Sequence, residues 1–410
     1  MGQLQRIRPT PGAHVPREDR APEDRRRHRA RRAVALAVVA LLIPVGWSYA
    51  NALTAPGSAP LAARTVEWIK DHGGRGLVLW AERLWYSRHQ PPVGGTPAGG
   101  LPYAAPTPAS SPVGKVAAKV PPHLDPPADV APIASNPLPH EGAWQTVGRT
   151  ADGLPAIRVA FLRPDPVHTS LVAGVAWMDT RLLRGALVAG TQVPGGTLWQ
   201  QQWGAEVPRA LRNRLVATFN SGFLLQDSHG GYFANGRTYA PLEGGAASVV
   251  VYRDGTVTVG RWGQDVTMSP MVAAVRQNLH LIVDHGRPVP GLATDSLQQW
   301  GATLGNAVMV WRSGLGVTRD GALLYAGGPG LSVESLASVL ARAGAVRAME
   351  LDINTDWVSF NYYTTAPASS WGVGAHELLP TMVRSADRYL VPDERDFFAM
   401  FLRPRFAKAG

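Results

Sequence analysis

The sequence predicts an α+β fold for residues 141–410: a mixed, largely antiparallel sheet with a few packed helices, preceded by one N-terminal transmembrane helix. Three observations carry this expectation. From Glu141 onward, short runs rich in Val, Leu, Ile and aromatic residues alternate with Gly-rich turns, without a regular strand–helix–strand rhythm. Asp254-Gly255 and Asp320-Gly321 each stand between two apolar runs, a strong short-range hairpin signal. Ala33 to Leu53 carries no charge and is long enough to span about 30 Å of hydrocarbon.

Charge sorts the chain before that span. Ten arginines face four acids in residues 1–32, so +6 of the net +10 lies in this tail. A basic balance concentrated there is a poor argument for a nucleic-acid domain, and a tail spotted with Pro9, Pro11, Pro16 and Pro22 cannot supply a helix-turn-helix. Residues 1–32 read as a disordered basic tail. The arginines place the N-terminus inside and everything after residue 53 outside, as a single-pass cell-membrane protein. The alternative is a secreted protein, cleaved at Ala50-Asn51-Ala52. Cysteine is absent, which excludes disulfides, thiol nucleophiles and thiolate metal sites. The richness in Ala, Arg, Gly and Pro suits a GC-rich bacterial genome.

Residues 54–90 form an amphipathic juxtamembrane segment. Val66, Ile69, Leu77, Trp80, Ala81 and Leu84 fall near one helical face, with Gly73, Gly74 and Gly76 interrupting it. Trp68, Trp80, Trp85 and Tyr86 fit a membrane surface or packing against the later domain equally well. Residues 91–140 hold fourteen prolines and read as a stiff spacer reaching on the order of 100 Å.

In the domain, strands are expected at 144–147, 157–162, 169–177, 180–187, 215–219, 247–253, 256–262 and 279–283. A short helix is expected at 207–211, and longer ones at 271–278 and 376–390. The stretch from Val308 to Phe360 organises the rest. A hairpin turns at Asp320-Gly321, and Ser332 caps a helix in which Leu336, Val339 and Leu340 recur at helical spacing. Gly344 stops that helix, and Val346 to Asp352 closes the unit as a strand. Alternation puts Glu350 and Asp352 on one face of an apolar strand, a costly place for two carboxylates without partners.

Arg312 sits between Trp311 and Ser313 in an apolar strand and requires an anionic partner. That partner is either a ligand phosphodiester or carboxylate, or a structural ion pair with Glu350 or Asp352. Asn220-Ser221-Gly222-Phe223 follows a strand; an amide there can bond a sugar hydroxyl, and a glycine lets backbone approach a ligand. Read as an ordinary turn, the same residues need no ligand. Asp352-x-Asn354-x-Asp356 opens like a calcium loop, but Trp357 stands where glycine is required and Tyr363 where glutamate is. No metal and no cofactor are expected. His229 and His376 read as surface residues.

Arg312-Ser313-Gly314-Leu315-Gly316, the hairpin, the Gly330-Leu331-Ser332 helix entry and Leu351-Asp352 resemble, in that order, the phosphodiester glycosidase family. Asn220 to Phe223 and the Gly230 to Gly236 loop add a second match. This is the family of the enzyme that removes N-acetylglucosamine to uncover mannose 6-phosphate. The resemblance implies catalytic roles for Asp352, Arg312 and Glu350, and substrate binding by Asn220, Gly222, Phe223, Asn235, Gly236 and Asn354. It implies a cell-envelope glycan or sugar-phosphate ligand. The chain departs from the family after Asp352, where a glycine run is replaced by Ile353-Asn354-Thr355-Asp356-Trp357. Two readings follow: an extracytoplasmic hydrolase, or a non-catalytic carbohydrate-binding or envelope-organising module on the same fold.

Overall fold

Two antiparallel strands, β13 (Val310–Thr318) and β14 (Leu323–Leu331), turn at Asp320-Gly321 as the dipeptide demands. They sit at the middle of the largest sheet in the computed structural model, which describes residues 21–55, 57–102, 122–292, 300 and 309–404. Side chains of residues 21–26, 37, 38, 41, 79, 82, 83, 86 and 87 lie outside that description.

The chain divides into two units, Met1–Ala55 and Pro56–Gly410. The first is helix α1 (Ala21–Thr54). It begins at Ala21 rather than Ala33, so residues 21–32 are helical and not the disordered tail expected; residues 1–20 lie outside the described residues. Consecutive arginines have good helix propensity and no β-branched or glycine residue interrupts them. Among the described residues no helix is long and apolar enough to cross a membrane, and three side chains of the expected span, Ala37, Val38 and Leu41, are among those not described.

The second unit opens with α2 (Leu61–Ile69) and α3 (Arg75–Arg88), separated by a break at His72 and Gly73 where the glycine takes φ +84°. Ala63 of α2 packs on Trp357, so this part of the amphipathic segment belongs to the domain. Trp80 and Trp85 on α3 remain about 60 % exposed, and Tyr86 lies outside the described side chains. The proline-rich stretch is not a free spacer. Its last third lies against the domain, with Leu124 and Val130 buried and the Leu124 N–H bonded to Asp179 at 2.9 Å. Prolines offer no N–H groups to strand, so such a chain covers apolar surface at little polar cost. Residues 103–121 of that stretch are outside the description.

Three antiparallel sheets follow. The first runs β1 (Gln145–Ala151), β2 (Leu154–Leu162), β3 (Ala173–Met178), β14, β13, β15 (Ala345–Glu350), β11 (Leu281–Asp284) and β12 (Arg287–Pro288). The second holds β4 (Leu183–Val188), β5 (Leu215–Asn220), β16 (Phe360–Thr365), β17 (Val373–Glu377) and β18 (Phe397–Leu402), with β5 between β16 and β18. The third pairs β6 (Tyr232–Ala234), β7 (Arg237–Ala240), β8 (Ala247–Tyr252), β9 (Val257–Arg261) and β10 (Val272–Asn278). Three short helices complete the unit: α4 (Leu198–Gln202), α5 (Leu225–Ser228) and α6 (Val333–Arg342). The α+β class and its largely antiparallel pairing hold.

Aromatic rings join the first two sheets. Phe219 of β5 lies 5.6 Å from Tyr325 of β14, which lies 5.0 Å from Phe360 of β16. Helix α6 is entered through a capping box between Ser332 and Ser335 and left at Gly344, whose φ is +101°. Two expected helices are wrong. Residues 272–278 form β10, buried on both faces between β6 and β8, so its sequence lacks the alternation that marks a half-exposed strand. Residues 376–390 contain the end of β17, turns and one 3-10 turn at Arg388–Leu390, because His376 pairs with Tyr362 in the sheet.

Candidate active site

Strand β15 ends at Glu350, and the next residues turn away from the sheet into a cavity of about 230 Å³. Asp352 directs that turn. Its Oδ1 accepts the backbone N–H groups of Ile353 (2.8 Å) and Asn354 (3.0 Å), while its main-chain oxygen accepts Ser313 N–H at 2.9 Å. Its Oδ2 has no hydrogen-bond partner among the described residues. Burial raises the Asp352 carboxyl to about 6; Arg395 and the two backbone donors oppose the rise, and the Glu67 carboxylate adds to it.

Arg395 shares the cavity. Its guanidinium lies 4.6 Å from the centroid of the Trp357 ring, and Arg388 and Arg384 lie over the same ring at 5.1 and 5.3 Å. Arg388 is held by Asp393 through two bonds of 2.7 and 3.0 Å, which fixes that stack. Arg395 Nη1 is buried and has no hydrogen-bond partner among the described residues. Arg395 and Asp352 thus place a cation and a carboxyl on the lining of one cavity.

Apolar contacts shape the opposite wall. Phe223, Ile353 and Val310 pack together, and Phe223 and Ile353 reach the cavity. At the mouth, Arg75 at the start of α3 bonds Asp227 of α5 at 2.7 Å.

Residues 211–352 match the phosphodiester glycosidase family. The match ends on Asp352, so Asp352 lies inside the matched residues while Trp357, Arg395 and Glu67 lie outside them. No curated protein matches the chain. Among solved structures, a hypothetical protein from Synechocystis is 13 % identical over 63 % of this chain and 62 % of that one, with a TM-score of 0.28. The chain thus covers less than two thirds of that relative. A protein from Burkholderia pseudomallei K96243 is 14 % identical over 59 % of this chain and 76 % of that one, with a TM-score of 0.33. Overlaps this loose do not bear on the chemistry.

The residues expected to form the site divide. Asp352, Asn354 and Phe223 line the cavity. Arg312 and Glu350 do not: they face each other at 2.5 Å, both about 1 % exposed, with Arg312 Nε also donating to the Leu331 carbonyl at 2.8 Å. The partner that Arg312 requires is Glu350, so the structural alternative describes it. Burial raises the Glu350 carboxyl to about 7 against the pull of Arg312. Asn220 is also structural. Its Oδ1 accepts from Tyr325 and from Ser359 N–H, each at 3.1 Å, its Nδ2 donates to Ser313 at 3.0 Å, and the side chain is buried away from the cavity lining. Gly222 lies away from the cavity, where a Cβ would stand 3.3 Å from Asn278. Asn235 and Gly236, at φ +53° and +75°, are the exposed two-residue turn joining β6 to β7.

Arg395 was hidden in Asp393-Glu394-Arg395-Asp396, a run that reads as a solvated face but is buried throughout. The signal was its position, immediately before the apolar strand Phe397 to Phe401. His229, expected at the surface, is exposed and borders the cavity. Among the described residues no three acidic or histidine groups could hold a metal ion; Oδ1 of Asp352 and of Asn354 are turned onto backbone N–H groups instead.

Proposed function

We propose that this chain is an extracytoplasmic hydrolase of a sugar phosphodiester or related cell-envelope glycoconjugate, anchored by residues 33–53. The observation that supports it most is the pairing, in one cavity, of a buried carboxyl raised to about 6 with a guanidinium whose Nη1 lacks a partner. The family match over residues 211–352 supports this reaction class.

In this reading Arg395, not Arg312, holds the phosphoryl oxygen. Asp352 takes the proton of a water that attacks the anomeric carbon. The bond from that carbon to the bridging oxygen breaks, and the phosphomonoester leaves with the electron pair. A phosphomonoester, with its second pKa near 6 (about), leaves without needing a proton from the protein. The carboxylate is therefore needed on the water, and a base with a pKa near neutrality suits that task.

The test is hydrolysis of the methyl diester of N-acetylglucosamine 1-phosphate by the full chain, by Asp352→Asn and by Arg395→Lys. Turnover lost in Asp352→Asn with binding kept supports the reading; a parent that never turns over any sugar phosphodiester sinks it. One observation favours a binding module instead. Trp357 fills wall space where the family carries glycines, and stacked tryptophan beside arginine also suits a sugar that is only held. A parent that binds the diester without cleaving it would establish that second reading.

The anchor rests on the uncharged run after an arginine block. It predicts that the whole chain stays in the membrane fraction after carbonate washing, with residues 141–410 open to protease in spheroplasts. A mature chain beginning at Leu53 would replace the anchor with a cleaved signal.

A further inference from the structure

The cavity has a wall that the glycosidase region does not supply. Glu67 and Lys70, at the end of α2 and just beyond it, line it together with Asp352 and Arg395. Glu67 Oε1 lies 3.9 Å from Arg395 Nη2 and 3.8 Å from Lys70 Nζ, with its side chain 19 % exposed.

This wall is built in, not laid on. Ala59 and Ala63 pack against Trp357. Ala59 N–H donates to Glu394 at 3.0 Å, Ser58 donates to Asp393 at 3.1 Å, and Arg64 meets Glu394 at 3.0 Å. Gly57 sits so close to Glu394 that a Cβ there would stand 2.1 Å from its carboxylate oxygen. Buried contacts of this kind hold α2 in one register against the Asp393 to Asp396 run, and so fix where Glu67 stands.

We propose that α2 completes the site and that Glu67 is its second carboxylate, accepting a hydroxyl of the sugar beside Asp352. The inference rests on the hydrolase reading for its substrate, but not for its geometry. Glu67 Oε1 stands 3.9 Å from Arg395 Nη2, and both residues line the cavity with Asp352. A carboxylate flanked by two cations accepts hydroxyl donors well, whereas it repels a second anion. Glu67 therefore belongs to the sugar side of the cavity and discriminates sugar esters from simple phosphodiesters. The charged groups facing Asp352 across the cavity are Arg395, Glu67, Lys70, Arg75 and Asp227, with His229 at the border.

The experiment compares the full chain in detergent with Glu67→Gln, using calorimetric binding of two probes: the methyl diester of N-acetylglucosamine 1-phosphate, and dimethyl phosphate. Glu67→Gln should weaken the sugar diester at least tenfold and leave dimethyl phosphate unchanged or more tightly bound. Equal loss for both probes, or tighter binding of the sugar diester, overturns the proposal. Leu61→Ala, on the exposed side of α2, serves as the control and should change neither. A second readout does not depend on any ligand. The carboxyl titration of Asp352, followed by carbon NMR, should move to lower pH in Glu67→Gln, because one nearby negative charge is gone. An unmoved midpoint overturns the shared site. If the parent binds neither probe, the hydrolase reading fails, and the Asp352 titration alone decides whether Glu67 belongs to the cavity.

Discussion

Arg312 Nη1 stands 2.5 Å from Glu350 Oε1 with both side chains withdrawn from solvent, joining the neighbouring strands β13 and β15 of the largest sheet. Breaking such a pair leaves one buried charge uncompensated, which costs about 3–5 kcal/mol. Arg312→Met should lose that much in urea unfolding at pH 8. The loss should shrink at pH 5.5, where Glu350, already raised to about 7 and now without its cation, is neutral. Arg312→Met with Glu350→Leu should recover most of it. Full stability in Arg312→Met alone would show that the pair is not structural.

In the proposed hydrolase, Asp352 is the base that should set the pH profile of turnover. As a base with its carboxyl at about 6, it is ionised and competent above that value. Activity should fall about tenfold per unit as pH drops below 6 and level off above 7. Asp352→Asn should lower kcat by at least about 100-fold and abolish that acid limb. An unchanged limb in Asp352→Asn would assign the titration elsewhere.

Much of the fold was legible because local chemistry and tertiary context agreed. The Asp320-Gly321 turn, the Ser332 cap and the Gly344 stop each require their residue type, and each formed where expected. The failures came where the environment overrode local preference. Val272-Ala273-Ala274-Val275 has helical spacing and good helix formers, yet a strand paired on both sides satisfies its backbone better. In the site, Asp352 could be read from the sequence because an acid closing an apolar strand is conspicuous. Arg395, Trp357 and Glu67 could not, since they meet only through contacts between distant segments.

The proline-rich stretch contributes stability it was not expected to have. Leu124 is 5 % exposed and its N–H bonds Asp179. Leu124→Ala should cost about 2–5 kcal/mol by the lost burial and the cavity left behind. A change within 0.5 kcal/mol (about the surface-substitution range) in thermal unfolding would mean the segment is only loosely laid down.

Asp393 should govern acid unfolding. Burial alone would raise its carboxyl, but the Arg388 and Arg384 charges win and hold it below the ordinary aspartate value. Its contribution is complete above the unfolded value of about 3.9 and is lost as pH falls through the lower folded value. Asp393→Asn should destabilise the domain at pH 7 and flatten the acid side of its stability curve. An equally steep acid limb in Asp393→Asn would point to other carboxylates.

The bonds of Asn220 have a mechanical meaning. From β5 its amide reaches Ser313 and Tyr325 of the neighbouring sheet and the backbone of Ser359, all in a dry interface. Sliding one sheet over the other would leave those groups unpaired with no water to replace them. The cavity therefore cannot widen by shear between its sheets. Only the helical side can yield, and there the mouth is closed by the Arg75–Asp227 bridge, which is half open to solvent and weak for that reason. Amide exchange should accordingly be faster in α3 than in β5 and β13, and equal protection would deny this asymmetry. A long glycan would be admitted at a rate set by the breathing of that helical side, however tightly it is held once inside.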